Sequence, residues 1–430
     1  MSKPVYRVLE LLCEIVHVLP IGTNLAVLHL LWTILSGQLL VTRGAIIPAL
    51  VLAGLSTAAT LRAWSALAKG RWEIDQLLTA FAVVVQREGR WHPRRHGGYQ
   101  ALAVDTTAFF RPRLQHCPTT HYSSQAGKAL PAIPFGVITR VGAIEGQRLA
   151  HLVSLVRADP HDPSEQALQC RTLRQAQTLC APHEAIVADR GFKVAQVQAA
   201  GIAHYVIRVA QNFTARRAQP PAYQGRGAKP KRGAYVRPLA RRYKDRFLAA
   251  TPPDEVTTWR DGEHSGKAEI WRNLVLPDAV PGSPTFQCVA LYDERFDEPL
   301  LLASPLPLSP SELRALYLDR WPVEHPPLVA KQLLGAHRQF VFGELARQRL
   351  PELALFAATV LAYVAATCEA LATGFWDRAP RRTAGRLRRA LARTVFPENF
   401  PLLADIRKKA SPTDHLPKGV NAHRRVPSPS

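Results

Sequence analysis

The chain has 430 residues, more than one hydrophobic core usually serves, so two or three domains are expected. Lys and Arg number 55 against 33 Asp and Glu, a net charge of +22; bound cations release counterions condensed on phosphate, so nucleic acid is the expected partner ahead of an anionic membrane surface. Six cysteines without a Cys-x-x-Cys argue against a disulfide framework and a zinc ribbon, and with no secretory-signal pattern at the N-terminus a cytoplasmic location is expected.

Residues 1–96 alternate apolar helical stretches with Gly and Pro breaks and close on a basic linker, Trp91-His92-Pro93-Arg94-Arg95-His96, which predicts a separate all-helical domain. Three apolar stretches raise a membrane question. Leu25–Val41 is interrupted by His29, Ser36 and Gln38, Ala45–Leu61 by Pro48 and Gly54, and the Ala-rich Leu353–Thr367 is shorter than the roughly 20 residues a span needs. All three are expected as buried helices, and no membrane partner is expected.

From residue 99 the pattern changes. Tyr99–Phe110, Ala129–Val141 and Arg148–Val156 predict three successive strands separated by turns. Asp162-Pro163-Ser164-Glu165 predicts the start of a helix running to about Cys180, with Asp162 as N-cap and Pro163 at the first helical position. A strand over Glu184–Asp189, a short helix over Lys193–Ala200 and a strand over Ala203–Val209 follow. This order predicts an α/β fold with a mixed sheet over residues 97–210, in which the ends of the first and fourth strands lie side by side. Residues 211–308 read as a β-rich insertion, and Ser309-Pro310-Ser311-Glu312 starts the helical completion of the core over 309–375. Residues 376–430 form a basic tail, whose last twenty residues are expected to be disordered.

Three carboxylates stand out. Asp105 and Asp189 end apolar runs that read as buried strands, and Glu324 follows Tyr-Leu-Asp-Arg-Trp-Pro-Val. Hydrophobic interiors rarely tolerate an unpaired carboxylate. Three together repel one another unless something positive lies between them, and two hard, oxygen-liking cations, Mg²⁺ or Mn²⁺, suit that task. On a helix beginning near Ser311, Tyr317, Arg320, Glu324 and Lys331 would project within roughly 60° of one another. That face would present Glu324 to the metals and Tyr317, Arg320 and Lys331 to phosphates. Pro322, Pro326 and Pro327 crowd this segment; a break after Glu324 with a restart at Pro327 would take Lys331 off the shared face. Asp319 is the nearest substitute carboxylate, turned away from Arg320 and Glu324.

The spacing Tyr-x2-Arg-x3-Glu-x6-Lys, with Asp105, Asp189 and a β-rich stretch before the Glu, resembles the DDE transposases of bacterial insertion sequences, in the branch with a Tyr-Arg-Glu-Lys signature. The resemblance covers roughly residues 99 to 345, including Lys331-Gln332-Leu333-Leu334-Gly335. It implies an RNase-H-like catalytic core, two divalent metal ions held by Asp105, Asp189 and Glu324, and cut-and-paste movement of an element between its terminal inverted repeats. It also implies an N-terminal DNA-binding region and synapsis as a homodimer on double-stranded DNA. A catalytically inactive transposase-derived DNA-binding protein is the competing reading.

Other basic residues are candidates for DNA contact. Arg190 follows Asp189, and eleven Lys or Arg against one acid lie between Arg216 and Arg246, centred on Arg226, Lys229, Lys231 and Arg232. Arg381–Arg393 reads as a basic helix. Trp259, Trp271 and Trp321 are expected in the core, with stacking on a displaced base as the alternative. His116, Cys117 and His121, and Cys170, Cys180 and His183, fit no familiar zinc spacing.

Overall fold

A computed structural model describes residues 2–223, 225, 232–280, 282–397 and 399–409. Among these residues the chain is a mixed α/β protein built on one large mixed sheet. Strands β1 (Tyr99–Phe110), β2 (Lys128–Ile144) and β3 (Gln147–Arg157) form an antiparallel meander where the alternating pattern places them. The chain then passes through helix Glu165–Leu179 to β4 (Glu184–Ala188) and through helix Val194–Ala199 to β5 (Tyr205–Arg208). Strand β4 pairs with β1 and β5 with β4, both parallel, so the spatial order is β3-β2-β1-β4-β5. Parallel neighbours need a crossover, and the two helices supply it.

The first crossover helix starts later than expected. Its N-cap is Ser164, whose hydroxyl accepts from the Ala167 N–H at 3.1 Å, while Asp162 accepts from the Ser164 hydroxyl at 2.9 Å. Asp162 therefore orients the cap and is not the cap itself, and Pro163 lies outside the helix.

The β-rich stretch after residue 211 continues the same sheet. Strands β6 (Glu255–Asp261), β7 (His264–Val275), β8 (Phe286–Leu291) and β9 (Leu300–Ser304) pair antiparallel in sequence, and β9 joins β5 through Leu302 opposite Arg208.

Period-two alternation divides the apolar residues between the two faces. Leu102, Val104 and Ile186 pack with Leu173, Phe192 and Val197 under the crossover helices. Ala101, Ala103, Phe109 and Val187 face the other way, into a core shared with helices Lys3–Val16, Thr23–Leu35 and Ile74–Glu88. The N-terminal helices and the sheet thus bury one continuous apolar body.

At its centre runs helix Glu344–Thr367, which absorbs the Ala-rich segment and is longer than that segment suggested. By length and composition it could cross a membrane, yet 89% of its apolar window is buried inside the protein. Arg157 anchors it to β3 with a two-pronged ion pair to the buried Glu352, at 2.5 and 2.8 Å. Helix Thr23–Leu35 is buried as expected, whereas Ile46–Leu52 leaves Ile47, Val51 and Leu52 exposed.

Candidate catalytic site

The parallel register between β1 and β4 runs from Gln100 opposite Glu184 to Ala103 opposite Val187. Two residues further along each chain stand Asp105 and Asp189. Alternation turns Asp105, Thr107 and Phe109 to the same side as Ala101 and Ala103, the side that meets residues 310–332. The sheet pattern therefore directs Asp105, which lies within β1 and not at its end as expected, toward the segment that carries Glu324, while Asp189 follows just after β4 ends at Ala188.

That segment is not one helix. Helix Pro310–Leu318, begun by a reciprocal capping box between Ser309 and Glu312, ends at Asp319; a 3₁₀ turn spans Trp321–Glu324, and a second helix spans His325–Gln332. The break precedes Glu324, and the restart comes at His325 and not at Pro327. The prolines explain the division without a large cost. Pro310, Pro322, Pro326 and Pro327 all sit in first turns, where the missing N–H has no intrahelical partner to lose. Arg320, Glu324 and His325 keep right-handed helical backbone angles through the joints, so the chain goes on coiling in one hand.

The side chains still converge. Arg320 Nη1 lies 3.4 Å from Asp105 Oδ2, and its Nη2 donates to Glu324 Oε1 at 2.7 Å. Lys331 Nζ donates to Thr107 Oγ1 at 2.8 Å and lies 5.4 Å from the Phe109 ring centre. Tyr317 is buried, with its ring 6.0 Å from the Arg320 guanidinium carbon. Although the helix breaks, Lys331 reaches β1 at Thr107 and Glu324 is linked to Asp105 on the same strand through Arg320.

Burial and the Asp189 charge push the Asp105 carboxyl up to about 6, against the opposing pull of Arg320 and the Thr106 N–H, with Glu324 adding to the rise. Burial raises the Tyr317 phenol and lowers the Lys331 ammonium, which the Asp105 charge partly restores. Asp189 is held by the Gly191 N–H at 2.9 Å. An all-oxygen donor set of this kind suits Mg²⁺ or Mn²⁺, and a dication would offset the part of the Asp105 rise that the Asp189 and Glu324 charges add to burial. Among the described residues no three His, Cys, Asp or Glu side chains stand close enough together to hold a metal. Between Asp105 and Glu324 the neutralising group is the Arg320 guanidinium.

The remaining predicted contacts are dispersed. Arg190 is exposed beside Asp189, and Arg232 is exposed with its guanidinium 4.0 Å from Asp278. Arg226, Lys229 and Lys231 lie outside the described residues, as do the last twenty residues of the tail. The basic helix of the tail spans Ala384–Ala392. Trp259 and Trp271 are core residues with their indole N–H groups bonded to backbone carbonyls. Trp321, expected in the core, is instead 48% exposed against His325, because the 3₁₀ turn points it outward.

Two features of the neighbourhood went unread in the sequence. Asp319, fully buried, receives Arg94 Nε at 3.1 and 3.0 Å, stands 2.8 Å from His96 Nε2 and lies 3.4 Å from Arg148 Nε. This clasp ties the linker to the residue just before Arg320. Arg208, at the end of β5, acts electrostatically on Tyr317 and lines with it a pocket of about 410 Å³. The only signal for the clasp was the basic run at 94–96; its partner is 223 residues from His96 along the chain.

No family model matches this chain, and no curated protein matches it.

Proposed function

We propose that the protein is a DNA transposase that cleaves and transfers strands at the terminal inverted repeats of an insertion sequence. In this reading residues 97–210 and 309–375 form an RNase-H-like catalytic core, interrupted by the β-rich stretch. The observation that carries it is the meeting of distant residues: Asp105 within β1, the Asp189 charge acting on it from just past the paired strand β4, and Arg320 linking Asp105 to Glu324. The order β3-β2-β1-β4-β5, with one antiparallel meander and two parallel additions, supports the fold assignment.

In this reading Asp105, Asp189 and Glu324, which do not form a ready metal cluster among the described residues, are the carboxylates that would hold two Mg²⁺ or Mn²⁺ ions, and such ions when bound supply Lewis acidity at a scissile phosphate. The chain's own groups orient the DNA. Lys331, fixed on Thr107, is positioned to neutralise a phosphate next to the carboxylates, and Tyr317 offers a phenol to another. Arg320 keeps Asp105 and Glu324 from repelling each other before DNA arrives. The substrate is double-stranded DNA, the synaptic assembly a homodimer, and the setting the cytoplasmic nucleoid.

A second reading, a DNA-binding protein that no longer cuts, is favoured by one observation: among the described residues no three His, Cys, Asp or Glu side chains form a metal-holding cluster. One assay separates the two. On a duplex carrying the repeats that flank the gene, Mg²⁺-dependent nicking is expected; duplex binding without nicking in either Mg²⁺ or Mn²⁺ leaves the second reading standing.

A further inference from the structure

We propose that the groove between the end of β1 and residues 337–342 is a binding site for unpaired deoxynucleotides, separate from the carboxylate cluster. The proposal deepens the DNA-handling reading but uses none of its catalytic residues.

The groove encloses about 540 Å³. Its lining includes Arg43, Arg111, Arg113, Arg338 and His337 and no Asp or Glu. Such a concentration of positive charge without a compensating acid costs free energy in an isolated protein and fits a polyanionic occupant. The same lining presents aromatic faces: Phe340 is 57% and Phe342 64% exposed. Two exposed phenyl rings amid arginines do not serve the core, and they do not meet a duplex, whose bases are covered on both faces. They suit bases with a free π-face, where stacking contributes about 1–3 kcal/mol per base.

Buried polar side chains brace the wall of the groove. Arg111 is 6% exposed; its Nη2 donates to the Val341 carbonyl at 2.8 Å, its guanidinium lies 5.9 Å from the Phe342 ring centre, and its Nη1 has no partner. Gln339, also 6% exposed, donates through Nε2 to the Ala336 carbonyl at 2.9 Å, while its Oε1 has no partner. A buried guanidinium N–H and a buried amide oxygen rarely go unpaired. Both atoms are closed off from solvent, so they belong to the wall of the groove, and the exposed rings and guanidinium groups are what an occupant would touch.

The location is consistent with a strand leaving the candidate catalytic site. Phe110 lies five residues beyond Asp105 on β1, about 16 Å away at the usual rise of a strand. Between them Lys331 contacts Thr107 and Phe109, and its carbonyl oxygen is 2.6 Å from Nδ1 of His337. Lys331 thus lies between Asp105 and the groove, joined to Thr107 through its side chain and to His337 through its backbone.

The test is fluorescence anisotropy of the full chain with labelled oligo(dT), a labelled hairpin duplex closed by a non-nucleotide linker and oligo(U), all in EDTA so that no divalent-metal chemistry enters. The comparison is between the parent and a Phe340→Ala/Phe342→Ala variant, with Arg338→Glu as a second variant; all three positions are exposed, and circular dichroism checks that each variant folds. Oligo(dT) affinity is expected to fall at least tenfold in the double-Phe variant while hairpin affinity changes less than twofold, and Arg338→Glu is expected to weaken oligo(dT) and flatten its salt dependence. Absence of oligo(dT) binding by the parent, an equal loss for oligo(dT) and hairpin, or a tighter grip on oligo(U) than on oligo(dT) would each overturn the proposal. Because the readout is metal-free binding, it stands or falls independently of whether the chain cuts DNA.

Discussion

Arg320 Nη1 lies 3.4 Å from Asp105 Oδ2, joining residues 215 positions apart. Its other terminal nitrogen holds Glu324, so one guanidinium neutralises two of the three carboxylates. Arg320→Ala leaves them facing each other and is expected to destabilise the metal-free protein by about 1–2 kcal/mol, discounted for the partial exposure of Glu324. Urea unfolding in EDTA measures this. Added Mg²⁺ should then stabilise the variant more than the parent, and equal gains would show that the ion does not go to these carboxylates.

The Asp319 clasp predicts a larger effect at a residue with no place in the chemistry. Asp319→Asn removes the negative charge that Arg94, His96 and Arg148 share at 0% side-chain exposure, and the expected loss is about 2–4 kcal/mol. Because the partners are partly exposed and can hydrate, the loss falls below that of a fully buried charge. A urea midpoint unchanged from the parent would mean that the clasp holds nothing.

Gly136, opposite Thr106 on β2, sets how closely helix Glu165–Leu179 lies on the sheet beside the site. A Cβ there would come 1.9 Å from Thr172 Oγ1, itself buried and bonded to the Leu168 carbonyl. Gly136→Ala therefore displaces the helix, with an expected cost of about 1–3 kcal/mol. Thermal unfolding checks it.

Two buried histidines predict an acid-sensitive fold. Burial, helped by Arg62 for His29 and by Arg140 for His151, lowers both imidazoles to about 4. His29 packs edge-on against Phe396, and His151 lies between Phe81 and Trp91. Both stay neutral in the fold, whereas the unfolded chain binds protons from about 6.5 downward. The stability this confers is complete above pH 6.5 and is lost as pH falls toward 4, by up to about 3 kcal/mol per residue. Urea midpoints across that window should decline with acidification, and His151→Phe should flatten the decline.

The strands and the two aspartates were legible because local pattern determines them. Tyr99–Phe110 and Glu184–Ala188 alternate or run apolar without ambiguity, and each aspartate marks where an apolar run ends. The segment from Ser311 to Lys331 was legible only in part. Angular spacing correctly grouped Arg320 with Glu324, but the joint fell at Asp319 because prolines settle into first turns, which a wheel of uniform pitch does not represent. The Asp319 clasp and the Arg111 groove were not legible. Each joins residues more than two hundred positions apart, and no periodicity connects Arg94 to Asp319 or Arg111 to Val341. The helix cap at Ser164 turned on a choice between adjacent side chains that only backbone geometry resolves.

The central claim is that Asp189, one residue past the end of β4 and close enough to Asp105 within β1 to raise its carboxyl, serves the cutting of DNA and not its binding. Asp189→Asn keeps size and hydrogen-bonding capacity while removing the charge. The measurement is strand cleavage with Mg²⁺ on an end-repeat duplex, run in parallel with duplex binding in EDTA. The account predicts loss of cleavage with binding within twofold of the parent. Cleavage at the parental rate in the variant would contradict it.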